Sequence, residues 1–293
     1  MVYIQRIINT LILILIFFQC GKINAQNLEL KLDIDTNTFL EAQSIWANVV
    51  LKNNGKDTAI LQPFIMTEEH NGMKFILKDE NQTKLNYSWE ITSDDFEMSP
   101  NKKISSGDSL WEIYNINTFF NNSEYKNAVI YMYTLHYLIA GNYSLQAYAV
   151  NKKDTIFSNK VEFKVIKPEG PELKALRTLR SIELERHTVS DEITINKYEK
   201  FFNNFPNSIY TPQAFDRPFF LLWYKQPDKE RAKILLLKLI NSFPNIGHSV
   251  KKLGTLLYHF TDVEKENFLN MIIHKHPNTK VAKLSERLLK SMK

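Results

Sequence analysis

Near residue 167 the hydrophobic pattern changes its period from two to about 3.6, and one kind of element cannot serve both. Upstream, Leu28, Leu30, Leu32 and Ile34 alternate with Glu29, Lys31, Asp33 and Asp35. The sets Ile45/Ala47/Val49/Leu51, Tyr143/Leu145/Ala147/Ala149 and Val161/Phe163/Val165 keep the same spacing. Residues two apart share one face of a strand, so these read as half-buried antiparallel strands with a polar outer face. Turn-forming groups separate them: Asn53-Asn54-Gly55, Asn71-Gly72, Ser106-Gly107-Asp108 and Gly141-Asn142. Seven or eight short strands over residues 27–167 predict a two-sheet β-sandwich.

At Lys167-Pro168-Glu169-Gly170-Pro171 two prolines and a glycine fall within five residues, the composition of a linker. Beyond it the alternation stops and helical spacing begins. Charge changes too: residues 26–168 carry a net −4 and residues 169–293 a net +7, within a whole-chain net of +5. The halves are expected to fold separately when cut at this point, one β-rich and one helical.

The helical half repeats itself. Residues 198–207, 236–245 and 269–278 align without gaps, each ending in Pro-Asn at Pro206, Pro244 and Pro277. Eight residues before each proline stand Tyr198, Leu236 and Leu269. Five and four before it stand Phe201/Phe202, Leu239/Ile240 and Ile272/Ile273. This i, i+3, i+4 pattern paints one helical face, and proline then prevents the helix from continuing. The prolines are 38 and 33 residues apart, the length of one helical hairpin per repeat. Helix starts fall between them: Thr211 before Pro212, Asp228 before the second segment, and the capping box Thr261-Asp-Val-Glu264 before the third. About three helix pairs are predicted from Glu172 onward.

Two resemblances give these halves a class. The order Leu51-Lys-Asn-Asn-Gly55, Ser106-Gly-Asp-Ser-Leu110, Leu138-Ile-Ala-Gly-Asn-Tyr-Ser-Leu145 and Asn159-Lys-Val-Glu-Phe-Lys-Val165 resembles bacterial extracytoplasmic immunoglobulin-like domains. It covers nearly all of residues 27–167 and implies the sandwich alone, since such folds host many unrelated activities. Tyr198, Phe201, Phe205, Pro206, Asn207, Ser208 and Ala214 resemble the tetratricopeptide-like repeats of periplasmic bacterial proteins. The later repeats depart from that pattern, with Lys252 and Ser285 where Ala214 stands in the first, and the Trp…Leu-Gly…Tyr half of the consensus unit is missing. That resemblance implies protein or peptide binding on a concave face, with no chemistry. The expected fold class is multidomain α and β. Residues 1–25 are a signal peptide, 26–167 an Ig-like antiparallel β-sandwich, 168–171 a linker, and 172–293 an α-helical tetratricopeptide-like repeat domain.

The signal reading rests on Arg6, the apolar run over residues 11–18, and Ala25 as the last residue before cleavage. Gln19, Lys22 and Asn24 end that run short of the ~20 residues a membrane span needs. Residues 128–140, interrupted by Thr134 and His136, are likewise too short. A mature chain starting at Gln26 is periplasmic or secreted, with no membrane span after signal removal. Cutting before Cys20 instead would leave a lipid anchor there, but Phe17-Phe18-Gln19 lacks the small residue such sites carry. Cys20 is the only cysteine, so a chain cut after Ala25 has no disulfide, no thiol nucleophile and no thiolate metal site.

Motifs of chemistry are scarce. The eight glycines form neither G-x-G-x-x-G nor G-x-x-x-x-G-K, and there is no H-E-x-x-H or G-x-S-x-G. His274 and His276 point about 200° apart on a helix and do not face one ion. Glu68-Glu69-His70 and Asp94-Asp95 read as solvated loops. Trp46, Trp89 and Trp111 read as buried anchors, and Phe215, Phe219, Phe220 and Trp223 as packing between repeats. The chain therefore shows no catalytic, cofactor-binding or metal residues, and its cofactors are none.

The expected function is that of a non-enzymatic protein-binding adaptor or scaffold. Its partner is a protein or peptide, acidic if it answers the net +7, with Lys251 and Lys252 as exposed partner-binding residues. Lys and Arg scattered among acidic residues, together with an extracytoplasmic address, argue against nucleic acid. The alternative is an envelope carbohydrate-binding accessory protein that uses aromatics of the sandwich.

Overall fold

The alternating segments pair as their faces require. The structure, a computed structural model, describes residues 27–61, 73–87, 102–124, 137–151, 154–225, 228–257 and 260–292. The signal reading, Cys20, Glu68-Glu69-His70, Trp89, Asp94-Asp95 and residues 128–136 lie outside the described residues. One sheet has the order β1 (Leu28–Ile34), β3 (Trp46–Asn53), β7 (Ser109–Asn115), with antiparallel pairing throughout. A second has the order β2 (Thr38–Leu40), β9 (Asp154–Ile166), β8 (Gly141–Asn151), β5 (Met73–Lys78). The short pair β4 (Ala59–Leu61) and β6 (Lys102–Ile104) stands apart from both. Leu30, Leu32, Val49 and Leu51 meet Phe75, Leu145, Ala147 and Phe163 in one buried cluster between the sheets. At that seam the Asn159 side-chain amide accepts from Leu32 N–H and donates to Leu32 C=O, both at 2.9 Å.

The antiparallel expectation needs one correction, because β2 runs parallel to β9. Only residues 35–37 separate β2 from β1, so the chain passes to the second sheet instead of returning as a hairpin.

Helices begin three residues after β9, at α1 (Gly170–Glu185), with Pro171 in its first turn, and continue with α2 (Asp191–Asn204). An irregular stretch follows: α3 (Thr211–Ala214), α4 (Asp216–Phe220) and a π-helical turn (Leu221–Lys225). Pro218 divides those pieces, because it has no N–H to bond the Ala214 carbonyl four residues back. Then come α5 (Lys229–Ser242), α6 (Gly247–Leu257), α7 (Asp262–Lys275) and α8 (Lys280–Met292). Asp228 caps α5 by accepting from Arg231 N–H, and Thr261 with Glu264 forms the full capping box of α7. Thr211 does not cap α3; its hydroxyl instead donates to Phe205 C=O and closes the turn before that helix.

The three repeated segments end alike. α2, α5 and α7 stop at Phe205, Phe243 and His276, whose φ/ψ values are −132/51°, −136/55° and −128/53°. Each capping N–H bonds four residues back, to the carbonyls of Phe201, Leu239 and Ile272. Tyr198, Phe201, Phe202, Leu236, Leu239, Ile240, Leu269 and Ile272 are buried. Ile273 and Pro244 are half-buried, while Pro206 and Pro277 are exposed just beyond their helices. Side chains 35 positions apart bridge successive repeats: Lys238 Nζ to Asn203 Oδ1 at 3.4 Å, and His276 Nε2 with Asn241 Oδ1 at 2.9 Å.

Candidate functional site

The outward side of β3 and β7 is not a polar solvent face. Trp46 and Ile113 belong to the apolar cluster of the helical half, together with Ala42 and Tyr137. The N-terminus of α6 sits directly on this surface. A Cβ on Gly247 would lie 2.5 Å from Trp46 Cβ and 2.9 Å from Ile113 Cδ1, so only glycine allows the approach. Gly247 N–H donates to Asp35 Oδ2 at 3.1 Å, a carboxylate placed where the helix dipole favours it. Asp35 Oδ1 accepts from Lys280 Nζ at 2.6 Å, which brings in the start of α8. Gln213 adds three bonds, accepting from Ser44 N–H and Oγ–H at 2.9 and 3.0 Å and donating to Ala42 C=O at 2.8 Å. Arg180 lies over the Tyr137 ring and Arg287 over Trp111.

Beside this contact lies a charged trio. Asp216 opens α4, while His248 and Lys252 stand four apart on α6 and so share one face. His248 is only 2% exposed, with Nε2 3.2 Å from Asp216 Oδ1, and the Lys252 ammonium pairs with that same oxygen. The His248 ring meets Trp46 edge-on, centroids 5.5 Å apart. Burial by itself would raise the Asp216 carboxyl, but His248 and Lys252 outweigh it and hold the carboxyl well below the usual range.

The trio forms one wall of a cavity of about 280 Å³. Trp46, Ile113, Tyr114 and Phe119 supply the opposite, apolar wall. Asn115 and Thr118 line it as well, at the 3₁₀ turn Ile116–Thr118 that Asn115 caps. Both lysines singled out in the sequence line this cavity, Lys251 on its exposed rim and Lys252 half-buried against Asp216. Lys252 thus departs from the exposed position expected of it. Sequence reading missed Asp216 and His248, whose only signal is the i, i+4 spacing of His248 and Lys252.

A second buried charge sits deeper. Glu183 on α1 accepts from the Tyr198 hydroxyl and, at 2.9 Å, from Arg186 Nη1. Burial raises the Glu183 carboxyl despite both donors, and it raises the Tyr198 phenol well above its ordinary value. Tyr198 therefore both packs and ties down a carboxylate. Phe215 stacks on Phe202 at 4.0 Å and Phe219 on Trp223 at 5.5 Å, whereas Phe220 is partly exposed beside Tyr224. Among the described residues no three His, Cys, Asp or Glu side chains are grouped as metal ligands. Within the same residues no helix is long and apolar enough to cross a membrane. No protein-family model matches the chain, and no curated protein is significantly similar to it.

Proposed function

We propose that this protein is a non-enzymatic adaptor or scaffold, exported to the periplasm or beyond, that holds a protein or peptide partner on its helical half. The observation that carries the reading is the single turn geometry shared by the ends of α2, α5 and α7. Helices that close alike and bridge at one sequence offset stack into an array, and an array presents side chains at regular intervals to a partner. The resemblance to tetratricopeptide-like repeats supports the same reading, as does the resemblance of the sheet half to extracytoplasmic immunoglobulin-like domains. On this view the sheets act as a brace, because α6 and α8 are tied to Asp35. The net +7 over residues 169–293 favours an acidic partner, whose binding weakens as salt screens the charges. The carbohydrate alternative gains no support from Trp46 and Trp111, which face helices.

Photo-crosslinking in cells tests the proposal. A crosslinking residue at Ile234 on α5, 64% exposed, should trap a discrete protein partner. The same residue at Phe157 on β9, 54% exposed, should not. Adducts at Phe157 alone, or at neither position, would sink the adaptor reading.

A further inference from the structure

Two buried ring nitrogens stand unmet at the cavity between sheets and helices. Trp46 is 6% exposed and His248 2%, and among the described residues nothing hydrogen-bonds to Trp46 Nε1 or His248 Nδ1. The two rings are neighbours, centroids 5.5 Å apart, and both side chains line the same space. Trp46 Nε1–H can only donate. His248 Nε2 lies 3.2 Å from Asp216 Oδ1, and a carboxylate there favours the tautomer with its proton on Nε2. That tautomer leaves Nδ1 a lone pair. Buried polar atoms without a partner cost about 1–3 kcal/mol each, so a neighbouring donor and acceptor mark a place that a guest completes.

At about 280 Å³ the space is just below the ~300–1,000 Å³ of small-molecule pockets, enough for one large side chain but not for a helix or a strand. Ile113 and Phe119 make its other wall apolar, which water or a serine side chain would leave unmatched. Phenylalanine or leucine matches that wall and meets neither nitrogen. Glutamine meets both but brings a second amide N–H that neither nitrogen accepts. Tyrosine joins a large apolar ring to one hydroxyl, which accepts from an N–H and donates to a lone pair.

We infer that the cavity receives a tyrosine side chain of the partner protein, its ring against Ile113 and Phe119 and its hydroxyl between Trp46 Nε1 and His248 Nδ1. The inference rests on the partner-binding reading above and names the residue that is recognised. An aromatic anchor seated in a pocket is how interfaces concentrate their binding energy. Selectivity here lies in hydrogen bonds and shape, so it persists at high salt, unlike the attraction exerted by the net +7.

The test uses the full chain and two synthetic probes, N-acetyl-tyrosinamide and N-acetyl-phenylalaninamide, followed by calorimetry. The tyrosine probe should bind at least about tenfold more tightly, since a site built around a hydroxyl rejects the analogue without it. By nuclear magnetic resonance, the indole N–H of Trp46 should move downfield, as a hydrogen-bonded N–H does, with the tyrosine probe and not with the phenylalanine probe. Trp46→Phe removes the donor but keeps a ring, and should cut the preference by at least about threefold. If that variant does not fold, the wild-type resonance still decides. Equal binding of the two probes, no binding of either, or an indole N–H unmoved by the tyrosine probe would each overturn the inference. So would N-acetyl-glutaminamide binding as tightly as the tyrosine probe, which assigns the cavity to an amide, or p-cresol binding more tightly, which assigns it to a free small phenol. If crosslinking at Ile234 still traps a partner while these probes fail, the cavity inference alone falls and the adaptor reading stands.

Discussion

The two interiors differ in whether they hold charge. In the sheet half, buried amides serve the backbone: Asn53 donates to Asp57 and Ile104 carbonyls at 2.8 and 2.9 Å, and Asn117 donates to the Gln43 carbonyl. In the helical half, buried amides and hydroxyls such as Gln213 and Thr211 also serve the backbone, but charged side chains serve one another: Glu183 with Tyr198 and Arg186, and the half-buried Asp216 with Lys252. The cause is the backbone. Where strands end and bend, N–H and C=O groups lack ladder partners and must recruit side chains. Helix interiors satisfy their own backbone, so a buried charge there must be matched by another side chain.

This contrast can be broken most severely at Arg186. Arg186→Met leaves the Glu183 carboxylate buried without its cation and should cost about 3–5 kcal/mol in urea unfolding. Glu183→Leu combined with Arg186→Met should recover most of that loss. If the double variant is no better than the single, the pair is not what the helical interior depends on.

Asp216 supplies the next effect, read as pH dependence. Its folded carboxyl titrates below the ordinary 3.8, so its contribution is complete above that pH and is lost as pH falls through the folded value. Asp216→Asn should therefore flatten the fall in stability between about pH 4 and pH 2. Glu183, raised by burial, has the opposite sign and favours the fold when protonated. Acid unfolding that runs parallel in wild type and Asp216→Asn would remove Asp216 as a source of acid lability.

Where the interiors meet, Gly247→Val must push against Trp46 and Ile113 and should cost about 1–3 kcal/mol, as overpacking does. A variant as stable as wild type would mean that α6 docks loosely. The smallest effect is expected in the sheet half. Asn53→Ala strands the Asp57 and Ile104 carbonyls and should cost about 1–2 kcal/mol by the same assay.

Much of the architecture was legible. Strict alternation located β1, β3, β8 and β9, and the proline-ended pattern located α2, α5 and α7. The caps at Asp228 and Thr261 could be read because capping is a local interaction. The docking of helices on sheets was not, although a trace of it exists. Trp46 and Val50 on β3, with Trp111 and Ile113 on β7, are apolar residues on the face that alternation makes polar. Two apolar positions per strand on an outer face imply a cover, but nothing local names the cover. Gly247 looks like any turn glycine, because its neighbours in space, Trp46 and Ile113, lie 201 and 134 residues away. Asp216 and His248 escaped for the same reason: they are brought together by packing, not by spacing.

That separation also matters during synthesis. Trp46 leaves the ribosome long before Gly247, its seat on α6, has been made. At ~5–20 residues per second the delay is on the order of 10–40 s, during which the strand carrying Trp46 has no cover. Asp35 waits longer still for Lys280, so a chain that folded as it was made would complete its sheets while the aromatic face was still bare. A chaperone that masks this face until the last helices emerge would guard the newborn protein where it is most prone to aggregate.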